Sequence, residues 1–379
     1  MNYRNRVLIT GANGFIGKNL QLHLAERKDV EVVCFTRSHS AAQLPELLQG
    51  VDFVLHLAGV NRPQDPQEFT TGNADLTQAL CQAVCDVAQS TGKKIPIVCT
   101  SSTQAGRDNA YGQSKLAAES ALQAAATSHG VPVHIFRLPN VFGKWCKPNY
   151  NSAVATFCHN TARGLPIQVN DPAAVVTLVH VDDVINRFVQ LMDGADAAVG
   201  PDGFATVAPQ YTTTVGELAR QIAAFKDSRT TLMTERVGTG LVRALYATYV
   251  SYLPVELFTY TVPQYADPRG VFAEMLKTPD CGQFSFFTAH PGITRGGHYH
   301  HSKTEKFLVI KGQARFKFRH MQTGQTHELV TTGDKSEVVE TVPGWTHDIT
   351  NMGTDEMVVM LWANEVFDRE RPDTFACPL

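Results

Sequence analysis

Over the first 190 residues or so, short β-branched and aliphatic runs alternate with longer alanine-rich stretches whose apolar positions recur every three or four residues. The runs predict strands at Arg6–Thr10, Val30–Thr36, Phe53–Leu57, Ile95–Thr100, Val133–Leu138 and Val175–Val179. The longer stretches predict helices near Lys18–Arg27, Ala74–Ser90, Gly112–His129 and Asn151–Ala162. Strands apolar on both faces and separated by helices pack as a parallel, doubly wound α/β sheet. A mixed region over 200–265 follows, with one clear helix at Val215–Phe225 and then aromatic- and proline-rich sequence. From about Asp267 the helical period disappears. Short strands at Phe284–Thr288, Lys306–Ile310, Ala314–Arg319, Ser336–Val342 and Met357–Trp362, punctuated by Gly, Pro and Asp, predict a compact all-β barrel or sandwich. The expected organisation is an α/β domain over 1–245, a linker over 246–266 and a β domain over 267–379.

Composition narrows the function classes. The 379 residues suit two or three domains at about 150 residues each. A net charge of −3 with no basic block argues against electrostatic binding of nucleic acid or anionic lipid. No apolar run approaches the roughly 20 residues of a membrane span. The apolar stretch Val7-Leu8-Ile9 is too short for a signal peptide, so a cytoplasmic protein is expected. The eight cysteines include no C-x-x-C pair and read as small buried residues of a reduced chain.

The first strand runs into Gly11-Ala12-Asn13-Gly14-Phe15-Ile16-Gly17 and then a helix. Glycines there permit a tight turn and let the backbone approach a pyrophosphate at the helix N-terminus, so Gly11, Asn13, Gly14, Phe15, Ile16 and Gly17 are candidate cofactor contacts. The G-x-x-G-x-x-G spacing resembles the extended branch of the short-chain dehydrogenase/reductase superfamily. At the end of the second strand, where an NAD site offers Asp or Glu to the ribose, this chain offers Arg37 between hydroxyl residues, which suits the 2′-phosphate of NADP(H). His56-Leu57-Ala58-Gly59 resembles the family's fourth-strand motif and adds Leu57, Ala58 and Gly59 to the cofactor contacts. The segment before Phe53 is short and carries no strand with the acidic residue that usually meets adenine.

Thr100-Ser101-Ser102-Thr103 ends a strand and precedes Tyr111-Gly112-Gln113-Ser114-Lys115. Tyr-x-x-x-Lys on a helix places both side chains on one face, where the lysine charge and the cofactor ribose lower the phenol pKa for proton exchange near neutrality. Tyr111 and Lys115 are thus candidates for catalysis and cofactor binding, and Ser102 for orienting the substrate carbonyl, with Ser101 or Thr103 as alternatives. Asn73 resembles the family's helix asparagine that supports the proton relay. Arg137-Leu138-Pro139-Asn140-Val141-Phe142-Gly143 and His180-Val181-Asp182-Asp183 also match extended-branch patterns, a branch that acts on nucleotide-activated sugars. Asn140, Lys144 and Lys147 are the candidate substrate contacts.

In the β domain His298-Tyr299-His300 is followed by Glu305, and Pro343-Gly344-Trp345-Thr346-His347 stands downstream. Alternation along a strand puts His298 and His300 on one side. With Glu305 and His347 they make a three-histidine, one-carboxylate donor set for Zn²⁺ or another divalent metal. The spacing resembles both cupin motifs, except that Pro343-Gly344 is one residue shorter than the usual Pro-x-Gly. A lone His320 or His159 reads as structural. His301 and Lys303 are candidate supporting or catalytic groups. Asp267-Pro268-Arg269-Gly270-Val271-Phe272-Ala273-Glu274 and Gly292 to Tyr299 resemble the deoxysugar 4-keto 3,5-epimerases, cupins in which the corresponding histidine is a base. His298 therefore has two competing roles, ligand or base.

Over its full length the chain resembles the bifunctional capsule-precursor enzymes of the CapF/WbjC type, most closely through Lys144 to Tyr150 and the stretch from His298 to Glu305. That resemblance implies that the cupin epimerises C3 of UDP-2-acetamido-2,6-dideoxy-L-arabino-4-hexulose. The first domain then reduces the C4 ketone with NADPH to UDP-N-acetyl-6-deoxy-L-talosamine, on the route to L-fucosamine in capsule or O-antigen polysaccharide. A C4 ketone acidifies the C3 proton, and a divalent metal would stabilise the enediolate. A homo-oligomer, a dimer, is expected. One alternative is a keto-sugar reductase whose cupin only braces or dimerises the fold. Another is an epimerase or dehydratase in the first domain, against which Ser102-Thr103-Gln104-Ala105 carries no acidic residue. A non-enzymatic sensor would have no need of Tyr111 and Lys115.

Overall fold

The computed structural model describes residues 5–262, 264–267, 270–273, 276, 283–365 and 370–379, so Pro268, Arg269 and Glu274 of the epimerase-like motif lie outside the described residues. The chain divides into two compact units, Met1–Val141 with Thr177–Thr212, and Phe142–Val176 with Thr213–Leu379. Among the described residues no helix is long and apolar enough to cross a membrane.

The first unit is built on a five-stranded sheet of β1 (Asn5–Thr10), β2 (Val30–Phe35), β3 (Phe53–His56), β4 (Ile97–Ser102) and β5 (Val133–Leu138), in the order β2-β1-β3-β4-β5. Every pairing is parallel. Successive residues of β1 serve opposite faces, as a fully buried strand requires. Val7 and Ile9 join Leu20, Val184 and Phe188 in one core, whereas Leu8 joins Leu44, Val54 and Leu80 in the other. This is the doubly wound, Rossmann-like α/β fold.

One expectation needs correction. Val175–His180 forms a strand, but in a separate three-stranded sheet and not as a sixth member of the main one. The His56 motif ends β3, the third strand in chain order, and as expected no strand intervenes after β2, only the short helical turns Ala41–Gln43 and Leu44–Leu47. The helix Val181–Met192 was not foreseen, although Val181, Val184, Ile185, Phe188 and Leu191 are buried at helical spacing.

The second unit carries two five-stranded sheets. One runs Gln283–Ala289, Met357–Ala363, Glu305–Lys311, Glu337–Glu340, Thr259–Thr261; the other runs Thr326–Thr332, Gln313–His320, Trp345–Asn351, Thr294–Tyr299, Phe375–Ala376. The pairings are antiparallel, the arrangement of a cupin-type jelly roll. Its core follows strand alternation: Ala314, Phe316 and Phe318 are buried while Gln313 is exposed. Residues 246–266 hold the end of a second unforeseen helix, Gly240–Ser251, a short turn at Val255–Leu257, strand Thr259–Thr261 and the start of Gln264–Asp267. Tyr246 and Tyr249 of that helix are fully buried.

Candidate functional site

The glycine turn sits at the C-terminal end of β1. Gly11 has φ +68°, and a Cβ there would lie 2.6 Å from the Ala58 backbone nitrogen. Only glycine lets the two chain segments approach so closely. Thr10 stitches them, its carbonyl accepting from Leu57 N at 3.1 Å and its hydroxyl from Ala58 N at 3.2 Å. Gly17 matters for a second close approach, because a Cβ there would stand 2.4 Å from the Gly11 oxygen. The helix Phe15–Ala25 starts at Gly14 with no side chain capping its first amides. An uncapped helix N-terminus beside a glycine turn is a fitting cradle for a dinucleotide pyrophosphate. Phe15 and Ile16 pack against the core, so their contribution there is made by the backbone. Asn13 and Gly14 are exposed, as is Arg37, which lies just beyond β2, where Thr36 and Ser38 share a hydroxyl contact at 2.8 Å.

Beside this cradle the end of β4 meets the helix Ala110–His129, whose start is set by the Asn109 side chain accepting from Gly112 N at 2.8 Å. Ser102 faces Tyr111 closely enough to lower its phenol pKa. Ser101, on the opposite side of the strand, donates to Glu119 Oε1 at 2.5 Å, and Arg137 donates to the same carboxylate at 3.0 and 2.6 Å. Ser102 is therefore the strand-end serine that faces the tyrosine, and Thr103 is exposed. Lys115 is 7% exposed and donates from Nζ to the Thr100 carbonyl at 2.8 Å. Asn73, in a π-helical turn at Thr70–Asp75, accepts from Val60 N at 2.8 Å and donates to Ser114 Oγ at 3.0 Å. A Cβ on Gly59 would stand 3.1 Å from Asn73 Oδ1 and 3.8 Å from Lys115 Nζ, which places all three side by side.

The expected lowering of the phenol pKa belongs to the Lys115 charge and the cofactor ribose together. In the protein alone, burial raises the Tyr111 pKa and Ser102 offsets part of that rise. Burial lowers Lys115, against the nearby Cys99 and Glu119.

The three substrate candidates do not share one environment. Asn140 is exposed and donates to the Thr177 carbonyl at 3.2 Å. Lys144 is 3% exposed, with Nζ 5.6 Å from the Trp145 ring centroid, whereas Lys147 is exposed over Tyr150 at 5.1 Å.

In the second unit the expected donors converge. Ligand atoms of His298, His300, Glu305 and His347 all lie within 4.8 Å of one another. His298 and His347 are paired across adjacent strands, and a bulge between Gly296 and His298 sets their aim. Gly296, at φ +96°, leaves room where a Cβ would be 3.0 Å from the His347 oxygen. Their rings are 4.7 Å apart, and His300 Nε2 stands 3.1 Å from Glu305 Oε2. Lys303 Nζ pairs with Glu305 Oε1 at 2.8 Å. Burial raises the Glu305 pKa, but His300, His347 and Lys303 outweigh it and hold the carboxyl well below the usual range. Burial and the neighbouring imidazoles push His298 down to about 3.

His347 is 3% exposed, and neither ring nitrogen has a hydrogen-bond partner among the described residues; Glu305 is 3.6 Å from Nε2. A buried imidazole left so costs free energy unless something else occupies its lone pair. Three imidazoles and a carboxylate fit a divalent cation of borderline softness. Sequence reasoning missed Glu119, which binds Ser101 and Arg137, and Asp373, which binds the backbone next to His300. Glu119 stands four residues after Lys115 on one helix, a spacing that was readable; nothing in the sequence marks Asp373.

Residues 7–205 match the NAD dependent epimerase/dehydratase family, and residues 265–375 match the polysaccharide biosynthesis C-terminal domain. The chain is 64% identical over 373 residues to a UDP-2-acetamido-2,6-beta-L-arabino-hexul-4-ose reductase of Pseudomonas aeruginosa, covering 98% of each chain. It is similar to the crystal structure of the capsular polysaccharide assembling protein CapF from Staphylococcus aureus, with 40% identity and a TM-score of 0.65, over 99% of this chain and 100% of that one. A ceramide reductase of Caulobacter vibrioides is 26% identical over 204 residues, covering 49% of this chain and 60% of the relative.

Proposed function

The chain belongs to the NAD dependent epimerase/dehydratase family, as a CapF-type enzyme of nucleotide sugars, and from that membership we propose two successive reactions on one UDP-4-keto-6-deoxy-N-acetylhexosamine. Residues 267–379 epimerise C3, and residues 1–245 reduce the C4 ketone with NADPH, giving UDP-N-acetyl-6-deoxy-L-talosamine; residues 246–266 join them. The Gly11–Gly17 turn would hold the pyrophosphate of a reduced nicotinamide dinucleotide, which would supply the hydride, and His298, His300, Glu305 and His347 would hold a divalent metal such as Zn²⁺, which would supply Lewis acidity.

The protein's own groups do the rest. Ser102 orients the ketone and keeps the Tyr111 hydroxyl aimed at it, and Tyr111 donates its proton to the oxygen at C4 as the ketone is reduced. Lys115, buried one helical turn along, binds the cofactor ribose, and Asn73 holds the adjoining turn. In the cupin, inversion at C3 requires one group to take a proton from one face and another to return it on the other. Lys303 is placed to hold such a proton, its Nζ 2.8 Å from Glu305. Arg37 meets the 2′-phosphate, and Asn140, Lys144 and Lys147 serve the substrate.

The observation that carries the epimerase assignment is His347: a buried imidazole with both nitrogens unmatched, in a cluster with two more histidines and a carboxylate. The test is to incubate the protein with the UDP-4-keto-6-deoxy sugar in D₂O without NADPH and to read deuterium at C3 by NMR. Uptake abolished by a chelator supports epimerisation. No uptake, with NADPH still oxidised on later addition, reduces the cupin to a bracing module and the protein to a keto-sugar reductase.

A further inference from the structure

Between the strands Thr294–Tyr299 and Glu305–Lys311 the chain passes through His300, His301, Ser302, Lys303 and Thr304, each no more than 8% exposed. A polar connection normally runs over the surface, because its amides need water. This one is buried, and its amides are met by side chains far away in sequence. Asp373 accepts from three in a row: His301 N at 2.8 Å on Oδ1, and Ser302 N at 2.8 Å and Lys303 N at 2.6 Å on Oδ2. Asn364 Oδ1 accepts from Thr304 N at 2.9 Å, and Thr341 Oγ1 from Glu305 N at 3.1 Å. Ser302 Oγ adds a bond to Asp373 at 3.2 Å and accepts from Arg243 at 2.5 Å.

The main chain of Asp373 acts as well. Its carbonyl oxygen lies 2.5 Å from His300 Nδ1. A carbonyl can only accept, so Nδ1 carries the proton, and in the neutral ring Nε2 turns a lone pair toward Glu305 Oε2 at 3.1 Å. Lone pair facing carboxylate is unfavourable by itself and is relieved by a cation between them.

We infer that Asp373 is a positioning residue of the donor cluster: its side chain fixes the backbone of the connection and its main chain the tautomer of His300, and so it presents His300 and Glu305 to a divalent metal beside His298 and His347. The inference rests on the metal reading of that cluster and assigns a role outside the four donors. Partners of this kind are worth about ten- to a hundred-fold in metal affinity.

The experiment is a zinc titration of the full-length protein against a chromophoric chelator, for wild type, Asp373→Ala and Asp373→Asn. Far-UV circular dichroism and NADPH binding serve as controls for folding. Wild type that takes up no zinc refutes the metal reading, and the role of Asp373 with it, whatever the variants do. With zinc bound by wild type, Asp373→Ala is expected to bind about ten- to a hundred-fold more weakly. Both variants keep the main-chain carbonyl on His300; Asp373→Asn falls between because it also keeps one side-chain acceptor oxygen but turns an amide NH₂ toward the Ser302 and Lys303 amides. Should the alanine variant fail to fold, the asparagine variant carries the test. Wild-type zinc affinity in either folded variant overturns the inference.

Discussion

Ser101 and Ser102 are consecutive on one strand and serve opposite sides of it, Ser101 donating to the buried Glu119 at 2.5 Å and Ser102 facing Tyr111. Ser102→Ala should therefore lower the turnover number for ketone reduction by about 10²–10³, the range for loss of one oriented donor, and leave NADPH binding nearly unchanged. Ser101→Ala should lower the melting temperature instead, since Glu119 loses a donor, with turnover within a few-fold of wild type. Steady-state kinetics with cofactor titration separate the two. Equal turnover losses in both variants would remove the basis for choosing Ser102.

The two centres draw on separate residues, so their reactions should come apart. Tyr111→Phe is expected to cut NADPH oxidation by about 10²–10⁴-fold while deuterium uptake at C3 persists. Glu305→Gln should abolish the exchange, and with it the supply of epimerised ketone to the reductase, because it removes the carboxylate that lies 3.1 Å from His300 and 2.8 Å from Lys303. NMR exchange rates and NADPH absorbance on the same preparations check both. Loss of exchange in Tyr111→Phe would place the C3 chemistry in the first unit.

What was legible in the sequence is what short-range geometry dictates. The glycine turn and Tyr111 with Lys115 are placed by local spacing, and so nearly are His298 and His300, two apart, although His300 falls just past the end of the strand Thr294–Tyr299. The serine-ended strand was readable too, but which serine meets Tyr111 depends on strand register. Val175–His180 reads as a strand from its own residues, while its sheet is decided by partners elsewhere. Lys144 and Lys147 look alike in sequence, and only packing buries one and exposes the other. Asp373 lies 70 to 72 residues from the amides it binds, beyond any local pattern.

Arg37 tests the cofactor assignment. It is exposed beside Thr36 and Ser38, so nothing structural depends on it. A guanidinium on a phosphate contributes about 1.5–3 kcal/mol, which converts to roughly ten- to a hundred-fold. Arg37→Ala should raise the KM for NADPH by that factor and leave the KM for NADH close to wild type. A parallel rise for both cofactors would deny Arg37 any contact with the 2′-phosphate.

His56 makes the first unit acid-sensitive. It is 2% exposed, held between Thr10 at 2.7 Å and Thr77 at 2.8 Å. Burial, with the Lys115 charge behind it, lowers its pKa from 6.5 to about 3. The folded chain thus refuses a proton that the unfolded chain accepts. Its contribution is complete above about pH 6.5 and is lost as pH falls from there toward about 3, at up to about 1.4 kcal/mol per pH unit. The difference between urea midpoints at pH 7 and pH 5.5 should shrink in His56→Gln relative to wild type. An unchanged difference would show that His56 is not the group responsible.

In the second unit Lys306 and Glu340 form an ion pair, each no more than 3% exposed. Burial presses the Lys306 pKa down, yet the Glu340 charge outweighs it and holds the amine well above its ordinary value. Glu340 faces a second cation, Arg229 at 3.4 Å, and accepts from Tyr246 at 3.3 Å; Lys306 also reaches Tyr260 at 3.2 Å. Breaking one partner of such a pair costs about 3–5 kcal/mol, because the remaining charge stays buried. The arrangement makes the two losses unequal. Lys306→Met leaves Glu340 facing Arg229, so the cost should fall near the lower figure. Glu340→Gln leaves the buried Lys306 and the half-buried Arg229 without their shared anion, which places it near the upper one. Thermal unfolding followed in the second unit should therefore rank wild type above Lys306→Met and Lys306→Met above Glu340→Gln. The opposite order of the two variants would mean that Arg229 does not share the charge of Glu340.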